Sequence, residues 1–252
     1  MTPATPAAAK KPPFASTESR AAVVFDADGV LVDTQPAWTA ARRALFHEYG
    51  RRFGEAERRK TLGTGISGTC EYLSALLGEA DLQDEKGEKL LALLCAQVSM
   101  DPPHPLPGAA ELLEELHGER PMGVASNSPR AVLERSLEAA GLDRLLDAVV
   151  GVDEVANAKP APDLYLAAVA RLDCEPAQSI AIEDSPAGVA SARSAGLYVI
   201  GVQSRVEVMP GGDQVVRSLT DARLRSLLGL PASQERHVEA RPAVRSEFPA
   251  PG

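Results

Sequence analysis

The chain has 252 residues, 44% of them hydrophobic and 24% charged, enough to bury a full core, so wholesale disorder and a single short peptide module are excluded. Thirty-five acidic against 26 basic side chains leave a formal charge of −9. That balance disfavours non-specific attraction to nucleic acid or an anionic membrane, and any phosphate must be attracted by a local device such as a metal ion or one lysine.

Residues 1–20, rich in Ala, Pro, Thr and Lys with no apolar run to act as a signal-peptide core, read as a disordered tail. Ala21 to Phe25 is a short apolar run that stops at Asp26-Ala27-Asp28-Gly29 and predicts a buried strand feeding a loop. From Pro36 to Tyr49 the apolar positions Trp38, Ala41, Leu45, Phe46 and Tyr49 recur at helical spacing, with Thr34 available as N-cap and Gly50 as the stop. Thr61 to Thr69 reads as a Gly/Thr-rich loop, and further helices are predicted at about Cys70 to Leu77 and Lys86 to Val98. The prolines between Asp101 and Gly108 forbid helix and mark a linker.

Beyond the linker the rhythm changes. Strands predicted at Met122 to Ala125, Ala148 to Val152, Ile180 to Ile182 and Tyr198 to Val202 alternate with helices at Pro129 to Ala140, Pro162 to Leu172, Pro186 to Ala195 and Thr220 to Leu228. Alternation of this kind argues for an α/β fold: a Rossmann-like, doubly wound parallel sheet core over residues 21–34 and 105–230, interrupted after its first strand by an inserted all-helical cap over residues 35–104. Residues 231–252, Pro-rich and charged, read as a second disordered tail. Cys70, Cys95 and Cys174 follow no metal or disulfide spacing, and no apolar stretch approaches the ~18 residues of a membrane span. A cytoplasmic monomer is the expectation, with no nucleic-acid or membrane partner.

Polar side chains concentrate where the predicted strands end, the edge at which doubly wound sheets bind ligands. Asp26, Asp28 and Gly29 follow the first strand, Ser126 and Asn127 the second, Lys159-Pro160 the third, and Glu183-Asp184-Ser185 the fourth. Carboxylates that crowd together stay ionised only with a cation among them, and hard oxygens suit Mg²⁺, with Asp26 and Asp184 as side-chain ligands. If Lys159, Ser126 and loop N–H groups hold a phosphoryl group, one carboxylate can attack phosphorus and a second can carry the leaving-group proton. The substrate is then a small phosphorylated molecule.

The ordered set Asp26-Ala-Asp28-Gly-Val-Leu-Val-Asp33-Thr34, Ser126-Asn127-Ser128, Lys159-Pro160-Ala-Pro162-Asp163 and Glu183-Asp184-Ser185-Pro-Ala-Gly188 resembles the haloacid dehalogenase superfamily, in its β-phosphoglucomutase-like and phosphoglycolate phosphatase-like branch with a helical cap. The resemblance implies that Asp26 is a nucleophile forming an aspartyl-phosphate and that Asp28 is general acid, then base. It also implies that Asp26 and Asp184 bind Mg²⁺ by carboxylate and Asp28 by its carbonyl, with Glu183 at or beside the metal. Ser126 and Asn127 would hold phosphate oxygens, and Lys159 would neutralise charge. Asp33 and Thr34 would form the hinge into the cap.

Within the superfamily, the carboxylate of Asp28 favours ester hydrolysis over dehalogenation. A sugar phosphomutase is the alternative, but Trp38 falls where the mutase carries a His, and Gly68 about where it carries a phosphate-gripping Arg. A phospho-accepting receiver domain, or a phosphate-binding protein without hydrolysis, is a more distant reading. A receiver would be about half as long, with its acceptor after the third strand, near Asp153. Trp38 reads as cap core, Asp163 as a helix-start charge, Ser128 as a helix N-cap, and Arg42 and Arg43 as a solvated helix face, the alternative being that one faces inward and adds a charge. Among the histidines, only His104, in the linker, stands where it could face the cleft.

Overall fold

The first strand, β1 (Val23–Phe25), has no solvent face: Val23 and Phe25 enter one hydrophobic cluster and Val24 another, as alternation demands of a strand covered on both sides. In the computed structural model, which describes residues 21–79, 83–203 and 209–231, five further strands share its sheet. They are β2 (Met122–Ala125), β3 (Ala148–Val150), β4 (Ile180–Glu183), β5 (Tyr198–Val202) and β6 (Gln214–Val216). Their order is β3-β2-β1-β4-β5-β6 and every pair is parallel. Val24 stands opposite Gly123 on one side and Ala181 on the other, so the order reverses at β1 and a crevice opens at the carboxyl ends of β1, β2 and β4.

Four helices lie between β1 and the rest of the core: α1 (Gln35–Glu48), α2 (Glu55–Thr61), α3 (Gly65–Leu77) and α4 (Gln83–Met100). They bury their own cluster, with Trp38, Leu45, Phe46, Leu73, Leu90 and Leu94 in it. The Phe46 and Phe53 rings meet edge to face at 5.0 Å and 72°. The core helices are α5 (Ala109–Leu116), α6 (Arg130–Ala139), α7 (Asp163–Arg171), α8 (Pro186–Ser194) and α9 (Ala222–Leu227). Leucines of α5, α6 and α9 cover one sheet face, and Leu164, Tyr165 and Val189 of α7 and α8 cover the other. Val132 of α6 joins the cluster of the helical insertion, which seats that insertion over the crevice. No helix among the described residues is long and apolar enough to cross a membrane.

The departures from the sequence reading have local causes. Neither α2 nor β6 was expected: α2 reads Glu-Ala-Glu-Arg-Arg-Lys-Thr, with no apolar stripe, and β6 is three residues long at the sheet edge. Thr61 to Thr69 is not one loop, since Thr61 closes α2 and Thr69 lies inside α3, leaving Leu62 to Thr64 as the connection. Strand β3 ends at Val150 because residues 152–154 close into a 3-10 turn. Both expected tails, residues 1–20 and all but Pro231 of 231–252, lie outside the described residues.

Candidate active site

Asp26 stands one residue beyond β1, and its N–H still donates to the Ile182 carbonyl at 2.9 Å. The ladder therefore fixes its position. Gly29, at φ +94°, adopts a backbone conformation that side chains resist, and the chain folds back so that the N–H groups of Leu31 and Val32 both donate to the Ala27 carbonyl at 3.0 Å. This tight turn returns Asp28 to the cavity that Asp26 lines.

From the loop after β3, Lys159 reaches into the same crevice, where its Nζ donates to Asp26 Oδ1 at 2.6 Å and to Glu183 Oε1 at 2.5 Å. Asn127 holds that loop in place: its Oδ1 accepts from the Lys159 N–H at 2.9 Å and its Nδ2 donates to the Lys159 carbonyl at 3.5 Å. Glu183 is fully buried. Its Oε1 also accepts from the Tyr165 hydroxyl at 3.1 Å, and its Oε2 accepts from the Ser185 N–H at 3.1 Å and the Ser185 hydroxyl at 3.0 Å. Three hydroxyls converge on Asp28: Thr34 on Oδ1, and Ser128 at 2.7 Å and Ser126 at 3.3 Å on Oδ2.

The electrostatics follow from this crowding. Burial, the largest influence, holds the Asp26 carboxyl well above the usual carboxylate range; Lys159 opposes it, while Glu183, Asp184 and Asp28 add to it. Burial likewise disfavours the charged form of Lys159, but Asp26 and Glu183 outweigh it and hold the ammonium well above its ordinary value. One lysine thus serves two carboxylates while Asp184 and Asp28 stand nearby. Asp26, Glu183 and Asp184 each offer an oxygen, all within 4.8 Å of one another. An acidic surplus of hard oxygen donors at this spacing fits a small divalent cation such as Mg²⁺.

The structure thus brings the sequence-selected residues Asp26, Asp28, Ser126, Asn127, Lys159, Glu183 and Asp184 to one sheet edge. Three local readings are corrected. Thr34 occupies the N-cap position of α1 without capping it, because its hydroxyl is spent on Asp28, and the Asp33 carboxylate accepts from the Gln35 N–H instead. Ser128 also turns to Asp28; the carboxylate that accepts from the Arg130 N–H, at 2.8 Å, is that of Asp153. Asp153 is therefore a helix-end ligand outside the crevice. Arg42 is no solvated residue: it is 3% exposed and lines the cavity with Asp26, Asp28 and Lys159.

Trp38 is buried in the helical cluster, as read, and lines that cavity as well. His104 is exposed, its carbonyl accepting from the Asp33 N–H at 3.3 Å. Sequence reasoning missed Tyr165. The available signal was a hydroxyl on the apolar face of the helix that follows the Lys159 loop.

A family model described as haloacid dehalogenase-like hydrolase matches residues 21–196, which include every residue of this site. The chain belongs to that family. It is therefore a hydrolase built on the family's sheet. Fructose-1-phosphate phosphatase YqaB of Escherichia coli is 33% identical over 193 residues, 74% of this chain and 98% of the relative. Beta-phosphoglucomutase of Bacillus subtilis is 32% identical over 216 residues, 82% of this chain and 93% of the relative. Among solved structures, CbbY from Rhodobacter sphaeroides in complex with phosphate superimposes with a TM-score of 0.69 at 27% identity, covering 79% of this chain and 94% of that one.

Proposed function

We propose that the chain is a Mg²⁺-dependent phosphatase that hydrolyses a small phosphorylated metabolite, of the sugar phosphate or phosphoglycolate type, through an aspartyl-phosphate. The observation that carries this reading is the pairing of Asp26, clamped by Lys159 at Oδ1, with Asp28, a second carboxylate in the same cavity surrounded by hydroxyls. Asp26 Oδ2 takes no hydrogen bond from any described residue, and it is the oxygen that attacks phosphorus. As the new P–O bond forms, the ester P–O bond breaks, and Asp28 in its protonated form gives its proton to the departing alkoxide. Asp28 then takes a proton from water, the resulting hydroxide attacks phosphorus, and the bond to Asp26 breaks to release phosphate.

Lys159 neutralises charge on Asp26 and on the transferring group. The Ser126 hydroxyl, turned from Asp28, and the Asn127 N–H receive phosphate oxygens, the N–H groups of Ser126 and Ser128 being held by the Val150 carbonyl and the Ser126 hydroxyl oxygen; the Asn127 side chain contributes through the loop that it locks to Lys159. The carboxylates of Asp26 and Asp184 and the carbonyl of Asp28 would hold Mg²⁺, with Glu183 ordering Lys159 beside them. When bound, the ion supplies positive charge that screens the incoming phosphate from the acidic cluster.

The test is phosphate release from hexose phosphates, phosphoglycolate, glycerol phosphates and nucleotides, with and without Mg²⁺, by wild type and Asp26→Asn. Release that needs Mg²⁺ and falls at least ~10³-fold in Asp26→Asn is expected. Consumption of β-glucose 1-phosphate without release of phosphate would instead establish the mutase, and full activity in Asp26→Asn would remove Asp26 as nucleophile.

A further inference from the structure

Arg42 is a buried cation that forms no ion pair among the described residues. Its Nε–H donates to the Thr69 hydroxyl oxygen at 3.1 Å, and its guanidinium lies 4.5 Å from the centre of the Trp38 ring. Thr69 is itself fixed, donating to the Gly65 carbonyl at 2.7 Å. These contacts set the plane of the guanidinium but use only Nε: among the described residues no hydrogen bond or ion pair engages Nη1 or Nη2. A neutral hydroxyl and a ring face do not return what burying a guanidinium costs. Burial accordingly lowers the Arg42 pKa to about 10, against the opposing pull of Asp28.

The cavity that Arg42 lines measures about 90 Å³ and shares Gln35, Gly63 and Asn127 with an adjoining cleft of about 380 Å³. It has two cationic poles. Lys159, on the sheet side, is already committed to Asp26 and Glu183; Arg42, on the side of the helical insertion, presents a planar fork suited to two parallel bonds with a carboxylate or phosphate.

We propose that Arg42 is the residue by which this site selects its substrate, its Nη groups holding a second oxyanion, carboxylate or phosphate, on the leaving group of the ester. The inference rests on the phosphatase reading for its first oxyanion, the phosphoryl group beside Lys159. The competing role, a tie between α1 and α3 through Thr69, would affect all substrates alike.

The test compares kcat/KM for 2-phosphoglycolate and fructose 1,6-bisphosphate, whose leaving groups carry a second anion, with that for glycerol 3-phosphate and fructose 1-phosphate, whose leaving groups are neutral. Wild type is expected to prefer at least one anionic ester over its neutral counterpart, and the preferred one identifies carboxylate or phosphate as the second anion. In Arg42→Met the anionic-to-neutral ratio is expected to fall at least ~10-fold, the increase residing in KM, with Arg42→Lys intermediate. No wild-type preference for either anionic ester, or equal losses across all four, would overturn the proposal. Should Arg42→Met not fold, Arg42→Lys supplies the same ratio.

Trp38 is the one tryptophan of the chain and lies against Arg42, so its emission reports binding without turnover. In EDTA the same four esters are expected to rank in the same order by titration of wild type, and the ranking is expected to collapse in the variants. If no ester is hydrolysed yet emission shows Arg42-dependent discrimination, the phosphatase reading fails and the anion site stands. Hydrolysis without discrimination in either assay removes the anion site alone.

Discussion

A Cβ at Gly188 would stand 1.7 Å from Glu183 Oε1, so Gly188→Ala must displace a carboxylate held by Lys159, Tyr165 and both donors of Ser185. Overpacking of this kind destabilises by about 1–3 kcal/mol. Because Glu183 anchors Lys159, the expected outcome is also a fall of at least ~10-fold in kcat with a smaller change in KM, measured beside thermal unfolding. A variant with wild-type kcat would show that Glu183 does not position the lysine. At this scale the sequence exposed the acids and Lys159, because charged side chains just beyond apolar strands have few structural uses. It hid Arg42, Thr34 and Ser128, because an arginine on a helix and a hydroxyl before one are compatible with solvent exposure and capping until a neighbour is placed beside them.

Strand β3 lies at the sheet edge, where unpaired backbone groups invite association. Arg171 covers one of them, donating to the Val149 carbonyl at 2.6 Å, and Arg130 donates to the same oxygen. Glu154 gathers both arginines and accepts from the Gly151 N–H at 2.8 Å. Burial would raise the Glu154 carboxyl, but the bonds from Arg171, Gly151 and Arg130 prevail and bring it down to about 2.

A depressed folded-state pKa contributes stability that is fully present above the unfolded value and is lost as pH falls through the folded one. Glu154→Gln is therefore expected to be about 1 kcal/mol less stable than wild type at pH 7, a modest figure for a solvent-screened network. The difference should disappear as pH approaches 2, as followed by urea unfolding across pH; a difference independent of pH would exclude the ionic origin. Element type was legible wherever apolar periodicity was strong, as in α1 and β5. It failed at α2, whose charges run from acidic to basic along the axis with no apolar stripe, and at β6, whose pairing with β5 supplies what three residues cannot specify alone.

For the whole molecule, the acidic surplus at the crevice makes the folded state a better cation binder than the unfolded chain, in which the carboxylates of Asp26 and Asp184 are far apart in sequence. Mg²⁺ at one hundred times its Kd is therefore expected to stabilise the protein by about 2.7 kcal/mol, seen as a rise in Tm reversed by EDTA. The rise should be absent in Asp184→Asn, and its persistence there would place the ion elsewhere. By itself, the sequence determined the α/β class, the helical insertion after the first strand and the membership of the acidic cluster. Those features follow from local periodicity and from parallel strands presenting their carboxyl ends on one edge. Only the tertiary structure decided that Arg42 faces the cavity, that Asp153 serves a helix end and that Tyr165 meets Glu183. Such contacts join residues distant along the chain, and their energies depend on burial and orientation that no local spacing encodes.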